Sequence, residues 1–84
     1  MDWELYAWLK RGNRRKEVLT LIASSDNPLT VNEIKNRLKI AISQASCTTK
    51  ELADKKLVGC LNPKDKIGRI YQINKYGKEI LNEI

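Results

Sequence analysis

Thr30 and Glu33 open the stretch TVNEIKNRL with the spacing of a capping box, and few local signals constrain a backbone more tightly. The Thr hydroxyl accepts from the N3 amide while the N3 carboxylate accepts from the N-cap amide, so two otherwise orphaned donors are satisfied together. Leu29 and Ile34 stand where a hydrophobic staple belongs, which fixes the angle at which the chain enters this helix. Pro28 ends whatever precedes it, because its ring cannot continue a helix and Asn27 before it is biased away from α geometry. Ile34 and Leu38 line one face of the helix, with Lys35 and Lys39 on another. At about two turns the helix is too short to be stable by itself, so it must dock on neighbours.

Those neighbours follow in order. After KIAI the spacing predicts a second helix over about 43–56, with Ser43 as its cap and Ala45, Thr49, Leu52 and Ala53 as an inward stripe. That stripe is weakly apolar, and small or hydroxylated residues lie on nearly every side. Such a helix suits close approach to a partner more than core volume. Its outer face carries Ser43, Gln44, Cys47 and Lys50 at i, i+1, i+4 and i+7, with Ser46 adjacent. Leu57 to Leu61 and Ile70 to Ile73 read as two short strands. The connection over about 62–69, NPKDKIGR, holds Pro63 and Gly68 as turn formers and Lys64, Lys66 and Arg69 as exposed cations.

Upstream, a helix is expected over about 14–25, capped by Asn13, with Val18, Leu19 and Ile22 on its buried stripe and Leu21 at the flank. The arm 1–12 is apolar and then basic, and Trp3, Tyr6 and Trp8 settle on no single period, so a helical turn and a short strand both fit. A last helix spans 74–84, with Ile80, Leu81 and Ile84 on one side. The 84 residues thus form one domain of α+β class, mostly helical: a three-helix core, a two-stranded basic-tipped hairpin and a C-terminal helix.

Sixteen Lys and Arg against ten Asp and Glu leave a net charge of +6, which points to a polyanionic partner, nucleic acid before membrane. No apolar stretch approaches the roughly 20 residues of a membrane span. The N-terminal charges follow the apolar run, the reverse of a signal peptide, so a cytoplasmic protein is expected. The chain has no His, which removes the commonest general base and metal ligand. Cys47 and Cys60 have neither CxxC spacing nor a partner cluster, and two thiols without a leader suit a reducing compartment. No metal, no cofactor and no enzymatic activity is expected.

In order and spacing, RGNRRKEVLTLI, LTVNEIKNRL, SQASCTTKEL, KKLVGCL, GRIYQI and KYGKEIL resemble the winged helix-turn-helix transcriptional regulators of MarR and ArsR type, in the small single-domain form common in archaea. The resemblance covers nearly the whole chain from Arg11 onward. Lys39 and Lys56 depart from it, standing where such proteins often place Gly, and Thr49 stands where a Leu is usual. ArsR-type metal sensing does not carry over, since its ligands are absent. The resemblance implies double-stranded DNA as partner, with the second helix of the motif in the major groove. Ser43, Gln44, Ser46, Cys47 and Lys50 then become the groove-facing set, and Lys64, Lys66 and Arg69 fall on the flanking backbone or minor groove. Arg14, Arg15, Lys35 and Lys39 are further phosphate candidates.

Each assignment has a plainer counterpart. The polar helix face would serve equally on a winged helix that binds protein within a transcription or processing assembly. The loop cations would also suit an ordinary charged hairpin tip, and Arg14 and Arg15 simple solvation. Cys47 as a redox switch is weaker than Cys47 as a small spacer, because no activating group is near it in sequence. RNA binding ranks lower, since the aromatics are better used in core or interface. Trp3, Tyr6, Trp8, Leu9, Ile80, Leu81 and Ile84 carry more apolar surface than water favours; they either cap the domain's own core or build a two-fold interface, and the homodimer is the expected assembly.

Overall fold

A computed structural model describes residues 3–65 and 68–83. Among these the chain runs α1 (Trp3–Arg11), α2 (Asn13–Ser24), β1 (Leu29–Thr30), α3 (Val31–Leu38), α4 (Ile42–Asp54), β2 (Val58–Cys60), β3 (Ile70–Ile73) and α5 (Lys75–Glu83). The Thr30–Glu33 box forms as its spacing requires: Glu33 N donates to Thr30 Oγ1 at 3.1 Å, and Thr30 N donates to Glu33 Oε1 at 3.1 Å. Leu29 and Ile34 are both buried beneath it. With its entry angle set, α3 packs across α4, and α4 in turn lies against α2.

Two other helix starts differ from the sequence expectation. Gly12, in extended conformation, precedes α2, and Asn13 is already its first helical residue. α4 starts after Ala41 with no side-chain cap, and Ser43 lies inside the first turn with its side chain exposed. The connection explains the shift. Ile40 must be delivered to the core, where it is buried, and only Ala41 separates it from the next helix. Burial of a whole Ile side chain, about 1.5–3 kcal/mol, outweighs the roughly 1 kcal/mol of a cap.

α3 and α4 end alike. The Ile40 amide donates to the Lys35 carbonyl at 3.2 Å and the Leu57 amide to the Leu52 carbonyl at 3.0 Å, each spanning a left-handed residue. Those residues are Lys39, φ 55°, and Lys56, φ 63°. The Asn74 side-chain amide donates to the Lys56 carbonyl and holds the second of them in place. An L-residue in this conformation costs about 1–2 kcal/mol, partly offset by the greater chain entropy that Gly loses. Lys56→Gly is therefore expected to stabilise the fold by about 0.5–1 kcal/mol and to raise the thermal midpoint by a few degrees. A calorimetric scan with a lowered midpoint would contradict this.

The sheet has three strands in the order β1-β3-β2, not the two expected. Leu29 pairs with Tyr71 and Thr30 with Ile70, while on the other side Val58 pairs with Ile73 and Cys60 with Tyr71, all antiparallel. The core beneath it is built from Leu9, Leu19, Ile34, Leu52 and Leu57, all fully buried. On α4 the inward residues are Ala45, Thr48, Thr49 and Leu52, and Ala53 is only half-buried. Thr49 is accommodated there because its hydroxyl donates to the Ala45 carbonyl one turn back. α1 is helical, with Leu5 and Leu9 as its buried pair, which settles the type of the N-terminal arm. The architecture is a winged helix: helical core, helix-turn-helix of α3 and α4, and a hairpin of β2 and β3 with a basic loop.

Candidate nucleic-acid interface

Because Ala45, Thr48, Thr49 and Leu52 face inward, α4 presents Ser43, Gln44, Ser46, Cys47 and Lys50 to solvent, and all five side chains are exposed. Ile42, which the earlier helix start adds to α4, is 47% exposed beside them. The sequence reading missed Ile42 because it began the helix at Ser43.

The loop between β2 and β3 is organised by Asn62. Its carboxamide oxygen accepts from the Ile70 amide at 2.7 Å, and its nitrogen donates to the Gly68 carbonyl at 3.1 Å and to Asp65 Oδ2 at 2.9 Å. One side chain thus ties the two strand ends and the intervening turn together. Gly68, at φ 72°, makes the left-handed step that returns the chain to β3. Arg69 Nε donates to the Asp65 carbonyl at 2.7 Å, so its exposed guanidinium also braces the loop. Lys64 is exposed at the turn, and Lys66 lies outside the described residues.

Helix and loop meet across a cleft of about 300 Å³ lined by Val31, Asn32, Ile42, Ser46, Lys50, Gly68, Arg69 and Tyr71. The fold therefore brings Ser46 and Lys50 together with Arg69, three of the residues that the sequence singled out. Lys35 is half-buried on α3, and Lys39 is exposed at the turn between α3 and α4. Arg14 is half-buried and pairs with Glu17 at 3.3 Å along α2.

Arg15 is not a free cation. Its Nη1 donates to the Trp8 carbonyl at 2.9 Å, Nη2 reaches Glu51 Oε2 at 3.3 Å, and the guanidinium stacks 4.2 Å from the Trp8 ring centroid. Both terminal nitrogens serve the junction of α1, α2 and α4. The terminal apolar set also divides. Leu9 and Ile80 fill the core of this chain and present no surface to a second copy. Trp3 is 70% exposed with its ring edge-to-face on Tyr6, while Tyr6, Trp8 and Leu81 are half-buried. Tyr76 on α5 is exposed as well, and Ile84 lies outside the described residues.

Cys47 is an exposed free thiol, and Cys60 is half-buried with Sγ 3.6 Å from Asn62 Oδ1. Among the described residues no three His, Cys, Asp or Glu converge as a metal site would require, and no helix is long and apolar enough to cross a membrane. No family model matches the sequence, and neither does a curated protein sequence. Over 92% of its length the chain is similar, at TM-score 0.74 and 20% identity, to the crystal structure of a MarR/EmrR family transcriptional regulator from Acinetobacter sp. ADP1. It spans 56% of that chain, and at this identity the likeness establishes a shared winged-helix fold.

Proposed function

We propose that the chain is a transcriptional regulator that binds double-stranded DNA, with α4 in the major groove and the wing loop on the flanking backbone or minor groove. The observation that carries this reading is the cleft that sets Ser46 and Lys50 of α4 beside Arg69 of the wing. A lightly built, polar helix face next to a braced cationic loop matches the division of labour in such complexes, where base contacts specify and phosphate contacts position. Gln44 pairs bidentately with adenine, Lys50 reaches guanine or phosphate, and Ser43 suits either kind of partner. Lys64, Arg69, Lys39 and Arg14 supply phosphate contacts, and the net charge of +6 favours the encounter. The Acinetobacter protein of like fold is described as a transcriptional regulator, and the reading extends that role to this chain. A homodimer, joined through the exposed aromatics Trp3 and Tyr76 with Tyr6 and Leu81, would place two copies of α4 on a palindromic site.

Selection from a random duplex pool at fixed salt, followed by titration of the recovered site, tests the proposal. Binding should weaken linearly in log–log form with salt, and Lys64→Ala should reduce the slope by about 0.9 on all sequences alike. Lys50→Ala or Gln44→Ala should instead change which bases are preferred, by about five- to 100-fold at the affected position. Equal loss on selected and random duplexes from the α4 changes would overturn the base-reading assignment. If no salt-sensitive binding occurred near micromolar protein, the chain would be a protein-interaction winged helix.

A further inference from the structure

We infer that Ile42 reads the C5-methyl group of a pyrimidine in the major groove, an inference that rests on the DNA-binding reading above. Four large apolar side chains are conspicuously exposed among the described residues: Trp3, Ile42, Leu61 and Tyr76. Ile42 alone of these belongs to α4. It opens the helix at the end that enters a groove first, and it shares one wall of the cleft with Ser46 and Lys50, one and two turns further on. Those three residues form a single row at i, i+4 and i+8.

Ile42 belongs neither to the buried core nor to the half-buried apolar residues packed against it. The inner face of α4 is supplied by Ala45, Thr48, Thr49 and Leu52, and Ile40 already fills the core at the turn. Nearly half of the Ile42 surface remains in water, a cost that a polar residue at the same place would avoid. The row is otherwise polar, so its chemistry is mixed in a particular way: an apolar contact at the tip, a hydroxyl, then a cation. In the major groove the C5-methyl is the one apolar feature of a base edge, and apolar side chains are its usual partners. Thymine and 5-methylcytosine both present it.

The test uses the full chain and the duplex recovered by selection. Each thymine in turn is replaced by deoxyuridine, which removes the methyl and leaves every hydrogen-bonding group unchanged. In a second arm, each cytosine is replaced by 5-methylcytosine. At one position per half-site, wild-type protein should lose about three- to fivefold in affinity on loss of a thymine methyl, or gain as much from a cytosine methyl, the worth of one buried methyl group. Which arm responds identifies the base. Ile42→Ala should abolish that response while leaving the salt slope unchanged and the protein folded at the temperature of the titration. Ile42→Val should retain most of it. Wild type and Ile42→Ala responding equally in both arms would overturn the inference. So would a chain that binds duplex with normal salt dependence yet enriches no sequence, and in that outcome duplex binding itself would stand. Absence of any salt-dependent binding would remove both.

Discussion

Gly77→Ala is expected to lower the thermal unfolding midpoint by roughly 10–20 °C, the equivalent of about 2–3 kcal/mol of overpacking in a domain of this size. The direction is opposite to what helix propensity alone would give. Gly77 lies in the first turn of α5, and replacing a helical Gly by Ala ordinarily stabilises by about 0.8–1 kcal/mol. Here a Cβ would stand 2.3 Å from the Leu57 carbonyl oxygen and 2.8 Å from Ile73 Cγ1. The carbonyl cannot step aside cheaply, because it accepts the Asn74 amide at 3.2 Å. The Gly77 amide is also fixed, donating to the Asn74 side chain at 2.8 Å. Relief of the clash must therefore move α5 away from the segment that leads into β2. A circular dichroism melt decides the sign, and a midpoint at or above that of the wild type would refute the close approach.

Arg15→Ala is expected to cost about 2–4 kcal/mol, although the residue sits in the most basic stretch of the chain and would be taken for a surface cation. Most of that loss comes from the charge-assisted bond to the Trp8 carbonyl, about 1.5–3 kcal/mol, and from the stacking on Trp8, about 0.5–1 kcal/mol. The Glu51 pair adds little. Its side chains are 27% and 45% exposed, and such pairs are largely screened. Arg15→Lys should recover less than half of the loss, because an ammonium has neither the planar fork nor the flat face that this site uses. Urea denaturation of the three proteins measures the differences. In a duplex-binding titration the salt slope of folded Arg15→Gln, which removes the charge, should match wild type, whereas a slope reduced by about 0.9 would return Arg15 to the phosphate contacts.

What could be read from the sequence was whatever local chemistry decides. The Thr30–Glu33 box, the break at Pro28 and the outward row on α4 each depend on residues within a few positions of one another, and they form as the spacing requires. Features set by distant partners were hidden. β1 is two residues long and exists because Tyr71 and Ile70, some forty positions later, present a free strand edge to Leu29 and Thr30. Arg15 looked like its neighbour Arg14 until the fold brought Glu51 alongside it. Asn62 carried no special signal, since its value lies in reaching Gly68 and Ile70 across the loop. The start of α4 moved because burial of Ile40 outweighs a hydroxyl cap, and with it Ile42 entered the candidate interface. Lys39 and Lys56 are the instructive case. Comparison with related patterns suggested Gly at both, and both positions do adopt the backbone that favours Gly.

The two tryptophans of this chain have been placed in opposite surroundings. Trp3 stands mostly in water against a tyrosine edge, while Trp8 lies between the Arg15 guanidinium, 4.2 Å away, and the Lys55 ammonium, 5.5 Å away. Lys55 directly follows α4, and Glu51 on α4 holds Arg15, so the indole of Trp8 is an optical probe wired to α4. With Trp3→Phe as background, the emission of the remaining tryptophan reports changes in the packing of α4 on addition of duplex, with no dye attached and no change to the exposed row of α4.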